Sequence, residues 1–317
     1  MRNYIVVDLE WNQSPYGKKR KNYKIPFEIV EIGAVKLDED LVPMGEFREI
    51  IKPQVYGEIH SKIHEITHMS MKELIQGDKF DKVFARFIKW CGNDYIFCTW
   101  GSMDLTELQK NIDYYKIPNP FKKPLFFYDI QKLYSLLYED GKIKRALDTV
   151  IELMNISHTR PFHRALDDAF YTSQIMRNMD FERVKQYYSV DYYRLPQTKK
   201  EEIYLIFENY SKYVSRAFDT KEQALDNKTV KGIQCYHCGR SLRKKVNWFS
   251  FNAKFYFCLG YCPEHGYLKG KLRVKKAENG KTYIIKTLKL IGEAEAEQIR
   301  MKQEELKIRL KQKSRNE

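Results

Sequence analysis

The chain has 317 residues, 43% of them hydrophobic, and a formal net charge of +14, enough to bury one full α/β core and leave about a third of its length for a second module. No apolar run approaches the ~18–20 residues of a membrane helix, and the opening MRNYIVVDLEW enters a strand without a signal peptide's apolar region and cleavage site. A soluble, cytoplasmic protein with no membrane partner is therefore expected.

Six cysteines are too few for a disulfide framework, and four of them fall between Cys235 and Cys262, which points to metal instead. Cys91 and Cys98 stand in apolar company and read as small core residues. The charge is unevenly placed. Residues 231–317 hold 21 basic against 8 acidic side chains, a net of +13, and residues 1–230 hold 35 against 34. A near-neutral front is ordinary for an enzyme, whereas a concentrated basic module is the footprint of a polyanion binder.

In chain order, Tyr4 to Val7 is a short apolar run suited to a strand buried on both faces, and EIVEIGAVKL at 28–37 repeats it. Between them, Gln13 to Lys24 reads as a mobile basic loop. Phe47 to Ile51 is a third strand. Phe80, Val83, Phe84, Phe87 and Ile88 recur at helical spacing over 80–91. Tyr95 to Trp100 is strand-like, Leu105 to Tyr114 helical and Leu125 to Phe127 a short strand. Helices follow at 130–138, 147–154 and 164–179. Strands and helices interleave, so the front domain, residues 1–180, is α/β with a mixed sheet flanked by helices. Residues 181–231 read as a helical connector, with Ile203, Ile206, Phe207, Tyr210 and Val214 as its apolar stripe. Residues 232–292 form a small basic β module, and 293–317 a charged, exposed helix frayed at its end.

Asp8 and Glu10 stand two apart after an apolar strand, so both carboxylates lie on one face of the sheet. Like charges that close repel unless a cation sits between them, and hard divalent ions prefer such oxygens. Asp104 opens a helix after a Gly-Ser turn; it fits a capping box with Glu107, unless Ser102 caps the helix and leaves Asp104 in its first turn. In Pro161-Phe-His-Arg-Ala-Leu-Asp-Asp-Ala169, His163 precedes a helix and a pair of acids stands in its first turns. Four carboxylates on strand ends and helix starts can hold two ions about 4 Å apart, the arrangement that activates water in phosphodiester cleavage. His163, with an ordinary pKa of about 6.5, suits the general base. Asp113 and Asp129 read as caps or surface acids, and His60, His64 and His68, four apart, are set aside as a metal site.

VVDLEWN, TWGSMD and HRALDDA, in this order and at these separations, resemble the three motifs of the DEDDh 3′-to-5′ exonuclease superfamily over residues 1–180, and EIVEIGAV is similar to that family's second strand. Trp11 and Trp100-Gly101 look closest to the Eri-like branch, whose members mostly trim RNA 3′ ends. The resemblance implies a ribonuclease H-like fold, two magnesium or manganese ions, and release of 5′-mononucleotides. Asp8, Glu10, Asp104 and Asp168 are the implied metal ligands, and with His163 they form the implied catalytic set. Helix geometry alone leaves Asp167 open; the family's spacing favours Asp168. Single-stranded RNA is the expected substrate, with DNA or a non-catalytic RNA-binding role as alternatives.

Cys235-Tyr-His-Cys238-Gly and Cys262-Pro-Glu-His265-Gly share one design: ligand, two residues, ligand, then a turn-forming Gly. Two such knuckles between aromatic strands describe a zinc ribbon with a closed, structural site of Cys235, Cys238, Cys262 and His265. Cys258 competes as the fourth ligand. Aromatics at 248–257 beside flanking cations are the parts of single-strand recognition, unless those aromatics form the ribbon's own core. The ribbon could also dock a ribosome or a nuclease complex.

Overall fold

A computed structural model describes residues 2–20 and 22–316. Lys21, in the expected basic loop, and the terminal Met1 and Glu317 lie outside the described residues. The chain divides into two compact units, residues 1–193 and 194–317. Among the described residues, no helix is long and apolar enough to cross a membrane.

In the first unit the elements run β1 (Asn3–Asn12), β2 (Glu28–Leu37), β3 (Pro43–Ile50), α1 (Ser61–Thr67), α2 (Met71–Leu74), α3 (Phe80–Cys91), β4 (Tyr95–Thr99), α4 (Asp104–Tyr114), β5 (Phe126–Asp129), α5 (Ile130–Tyr138), α6 (Leu147–Leu153), α7 (Ala165–Asn178), α8 (Phe181–Val184) and β6 (Ser189–Val190). The sheet order is β3-β2-β1-β4-β5-β6. β1 pairs parallel with β4, and β4 with β5; the other pairings are antiparallel. This is the mixed sheet flanked by helices that the ribonuclease H-like reading requires.

Alternation along β1 divides the labour. Ile5, Val7 and Leu9 join a core with Phe80, Val83, Phe84 and Phe87 of α3 and Leu105, Leu108 and Ile112 of α4. Burying each such side chain is worth about 1.5–3 kcal/mol. The intervening positions, Asp8 and Glu10 among them, face the opposite side of the sheet. On that side the start of α7 lies directly against β2. A Cβ at Gly33 would stand 2.0 Å from the backbone nitrogen of Leu166 and 2.1 Å from the carbonyl carbon of Ala165, so no side chain fits there. Gly33 is in register with Asp8.

The contact is locked by charge. Glu31 on β2 is fully buried and accepts hydrogen bonds from Arg48 Nε at 2.7 Å, Arg164 Nε at 3.1 Å and the Ala165 N–H at 3.2 Å. α7 has no side-chain cap from its own N-cap residue, Arg164, so Glu31 supplies an acceptor for its first N–H. Arg164 also reaches Glu73 of α2 at 2.9 Å.

The expected helical connector is not one. Residues 181–193 add α8 and the edge strand β6 to the first unit, and the apolar stripe expected on a helix spans a hairpin, β7 (Ile203–Ile206) and β8 (Ser211–Val214). Ile203 and Leu205 are buried while Tyr204 and Ile206 are exposed. That is a period of two, which the neighbouring Phe207 and Tyr210 disguised as a helical stripe. The second unit continues with α9 (Lys221–Asp226), α10 (Lys228–Lys231), β9 (Lys244–Phe249), β10 (Phe255–Cys262), β11 (Gly266–Lys276), β12 (Thr282–Ile291) and α11 (Glu293–Asn316).

Its sheet, ordered β7-β8-β12-β11-β10-β9, is antiparallel throughout and larger than the small ribbon expected. Leu268, Leu272, Ile284 and Leu288 pack on one face with Trp248, Tyr236 and the short helices' Ala224 and Val230. On the other face α11 is more than an exposed tail, because Ala296, Ile299 and Leu306 pack on Val246, Phe249, Phe257 and Leu259.

Gly33→Ala forces backbone apart rather than moving a flexible side chain. We expect it to cost about 3 kcal/mol, the upper range for overpacking a tight contact, measured by denaturant unfolding. A change below ~0.5 kcal/mol would contradict the close approach.

Candidate metal and active site

Asp8 and Glu10 project from β1, and Asp168 comes from the first turn of α7. One carboxylate oxygen from each lies within 4.8 Å of the other two. Asp104 is outside this triad but lines the same cavity. It is the first residue of α4, whose N-cap, Met103, makes no side-chain cap, so it does not fill the capping role weighed for it. Its carboxylate accepts from the N–H of Leu9 on β1 and from its own N–H. The cavity, about 390 Å³, is lined by these four acids with Trp11, Trp100, Gln131 and Lys144.

Asp167 turns toward Arg160, 3.7 Å away, and leaves the site to Asp168. His163 sits at φ 67, a left-handed conformation uncommon outside glycine. Its backbone N–H donates to Asp168 Oδ1 at 3.3 Å, while its ring is exposed and not among the cavity's walls. Asp129 caps α5 through the Lys132 N–H, and Asp113 accepts from the Tyr193 hydroxyl. His60 caps the start of α1, the His64 ring bonds the Met69 carbonyl, and His68 ends α1 in the left-handed region.

Burial and mutual repulsion raise the affinity of the acids for protons. Burial first, then Asp104, Glu10 and Asp168, push Asp8 well above the usual carboxylate range. Burial and the charges of Asp168 and Glu31 push Glu10 up to about 8. Burial carries Asp104 to about 7 against the pull of its two N–H donors, and Asp168 to about 6 against the pull of His163. A cluster of hard oxygen donors that cannot all ionise alone is a fit donor set for divalent cations.

Sequence reasoning missed Glu31, Arg48 and Arg164, which fix the start of α7, and Lys144 and Gln131 in the cavity wall. A signal for Glu31 was present: an acid inside a doubly apolar strand has to find a buried partner.

In the second unit Cys235, Cys238, Cys262 and His265 offer ligand atoms within 4.8 Å of one another. Cys235 Sγ and Cys262 Sγ lie 3.7 and 3.6 Å from His265 Nδ1, and Cys238 Sγ lies 3.7 Å from Cys262 Sγ. A tetrahedron with metal–sulfur bonds of about 2.3 Å has edges of about 3.8 Å. Gly239 and Gly266, at φ 72 and 86, close the two knuckles in a conformation that disfavours side chains. Cys258 stands apart, fully buried against Trp248 and Gly270, with burial pushing its thiol up to about 12. Of the expected stacking aromatics, Phe249 is buried, and Trp248, Tyr256 and Phe257 are half-buried against the unit's own clusters.

A family model described as "Exonuclease" (RNase_T) matches residues 5–176. A DNA polymerase III PolC-type protein of Clostridium perfringens (strain 13 / Type A) is 30% identical over 183 residues, 58% of this chain and 11% of that protein, so the chain spans about a tenth of that relative's length. Among solved structures, the nuclease domain of 3′hExo, a DEDDh family member bound to rAMP, aligns over 58% of this chain and 92% of that one at 19% identity and a TM-score of 0.48. E. coli exonuclease I with a dT13 oligonucleotide aligns over 59% and 43% at 14% identity and a TM-score of 0.47.

In the metal-free protein these carboxyls bind protons more tightly folded than unfolded. The stabilisation is complete below about pH 4, where unfolded carboxyls are also protonated. It is lost as pH rises through about 6, 7 and 8, the values for Asp168, Asp104 and Glu10. The Tm of metal-free protein should therefore fall between about pH 5 and pH 8. Asp8→Asn should raise it at the upper end, and added magnesium or manganese should do so more at pH 8 than at pH 5. A flat pH profile in wild type and variant would contradict the site's electrostatics.

Proposed function

The chain belongs to the exonuclease family, and from that premise we propose that its first unit hydrolyses phosphodiester bonds at nucleic-acid 3′ ends, releasing 5′-mononucleotides. The observation that carries this reading is the convergence of Asp8, Glu10, Asp104 and Asp168 on one cavity. Asp8, Glu10 and Asp168 would hold one magnesium or manganese ion and Asp8 with Asp104 a second, supplying an activated water and charge stabilisation for the leaving oxygen.

The chain's own residues do the rest. His163, on the loop ahead of α7, takes the proton of the attacking water on a ring nitrogen, which requires its ring to turn in toward the cavity. The water oxygen bonds to phosphorus as the bond from phosphorus to the 3′ oxygen of the penultimate nucleotide breaks. Lys144, the one cation among the cavity's lining residues, meets a phosphate oxygen. Its loop is tied down by Gln131, which donates to the Arg145 carbonyl at 2.7 Å, and by the Arg145–Glu139 ion pair. Trp11 and Trp100 are apolar walls for the terminal nucleoside.

Single-stranded RNA is the preferred substrate, on the likeness of the motifs to the Eri-like branch. The DNA reading is supported by the likeness to a DNA polymerase III PolC-type protein. In the second unit, the near-tetrahedral spacing of Cys235, Cys238, Cys262 and His265 supports one zinc ion in a closed structural site.

End-labelled single-stranded RNA and DNA, with magnesium or with chelator, test the activity. Mononucleotides should appear only with metal, and faster from RNA. Asp8→Ala should lower kcat on the order of 10²–10³-fold or more, and His163→Ala by about 10²–10⁴-fold with metal affinity retained. Absence of product from both strands with either metal would end the enzyme reading. Cys235→Ser should release zinc, measured by atomic absorption, and lower the unfolding midpoint of the second unit while hydrolysis of a dinucleotide persists. A zinc content unchanged by the substitution would refute the ligand set.

A further inference from the structure

Unit boundaries sharpen the charge asymmetry. Residues 1–193 hold 28 basic and 28 acidic side chains, and residues 194–317 hold 28 and 14, so the entire net charge of +14 belongs to the second unit. Much of it is ordered. On β11, a central strand of the sheet, Lys269, Lys271, Arg273 and Lys275 occupy alternate positions and so share one face, with a repeat of about 6.7 Å.

The positions opposite this row on the neighbouring strands are not acids. On β12 the positions opposite are Lys289, Thr287, Ile285 and Tyr283; on β10, Leu259, Phe257 and Phe255 stand opposite the first three. None is acidic, and Lys269 directly faces another lysine, an arrangement that weakens a sheet. α11 covers one end, where Glu295 meets Lys269 at 2.6 Å. Beyond it Lys271 and Arg273 are exposed. With Lys254, their cationic groups lie 4.9, 5.7 and 5.9 Å from the centroid of the half-buried Phe255 ring.

The regular step of the row suits a ligand with regularly spaced anions. We propose that this face of β11 is a track for the phosphate backbone of a single-stranded nucleic acid, with Phe255 as the apolar contact for a base or sugar. The choice of a polynucleotide over an acidic protein surface rests on the exonuclease reading. The row and its spacing stand independently of that reading.

The test uses the full chain carrying Asp8→Asn, so that substrate survives, and a labelled single-stranded oligonucleotide titrated over a range of salt. Adding Lys271→Gln, Arg273→Gln and Lys275→Gln should weaken binding at least tenfold at low salt. It should also reduce the slope of log affinity against log salt by about 2, three contacts at about 0.7 each for a single strand. Replacing both lysines by arginine should preserve both quantities. If the triple variant loses thermal stability, Arg273→Gln alone is measured, with an expected slope change of about 0.7.

In the otherwise wild-type chain, the three glutamines should raise KM for long strands and leave dinucleotide hydrolysis unchanged. An inactive enzyme would thus defeat the exonuclease reading while the binding result stayed legible. An unchanged slope overturns the track, as does binding of polyglutamate that the glutamines weaken and oligonucleotide does not displace. That second result would assign the face to an acidic protein.

Discussion

The geometry of the acidic cluster in the first unit depends on one close approach, that of α7 to β2 at Gly33. A helix normally rests on a sheet through side chains, which sets the two backbones well apart. Here the backbone of Ala165 and Leu166 occupies the space of the missing side chain. Asp168, one turn into that helix, is therefore brought to strand-borne Asp8, the register partner of Gly33, and to Glu10. A helix held a side chain's width further out would draw Asp168 away from the Asp8–Glu10 pair. Glu31 holds the approach in place, because its buried charge is satisfied only when Arg48, Arg164 and the first N–H of α7 are all present. Removing one partner from such a buried cluster typically costs about 3–5 kcal/mol.

The same arrangement sets the electrostatics. Glu31 has its own arginines, yet its charge still bears on Glu10 and Asp8. Asp8 feels three further carboxylates in the cavity. The protein thus gathers acids where burial makes their charged forms costly, which raises their affinity for protons. The cost also explains the rigid supports. Asp104 is tied to β1 by the Leu9 N–H, and Asp168 is held by the His163 N–H, so the carboxylates cannot relieve their repulsion simply by rotating away.

Much of this was legible in the sequence because it follows from short-range periodicity. The alternation that puts Asp8 and Glu10 on one face, the apolar stripe of α3 and the two cysteine knuckles are all set by residues a few positions apart. What could not be read depends on distant contacts. The choice between Asp167 and Asp168 turns on Arg160, and that between His265 and Cys258 on which thiol Gly270 and Trp248 enclose. The close approach at Gly33 leaves no local trace beyond a glycine in a strand. The 203–214 hairpin was misread for a related reason: Ile203, Phe207, Tyr210 and Val214 fit a helical spacing, and only pairing with β12 selects the strand. The aromatics at 248–257 meet the same limit, since aromatic residues in a basic stretch read alike whether they line a surface or pack against a core.

Charge is divided unevenly between the units. Four carboxylates in a cavity repel a polyanion until cations neutralise them, and even then little net attraction remains for the strand beyond the reacting phosphate. On the proposed reading, affinity for a long strand comes from elsewhere in the chain. The first unit, with equal numbers of acids and bases, supplies no long-range attraction, whereas the second carries all of the excess. A cationic row on a sheet also differs from a cationic tail. Its positions are fixed by strand pairing, so it offers regularly spaced contacts without the ordering entropy that a flexible segment loses on binding. The opposite face of β11 contributes Leu268 and Leu272 to a buried core. Chain alternation thereby lets one strand stabilise its unit on one side and present charge on the other.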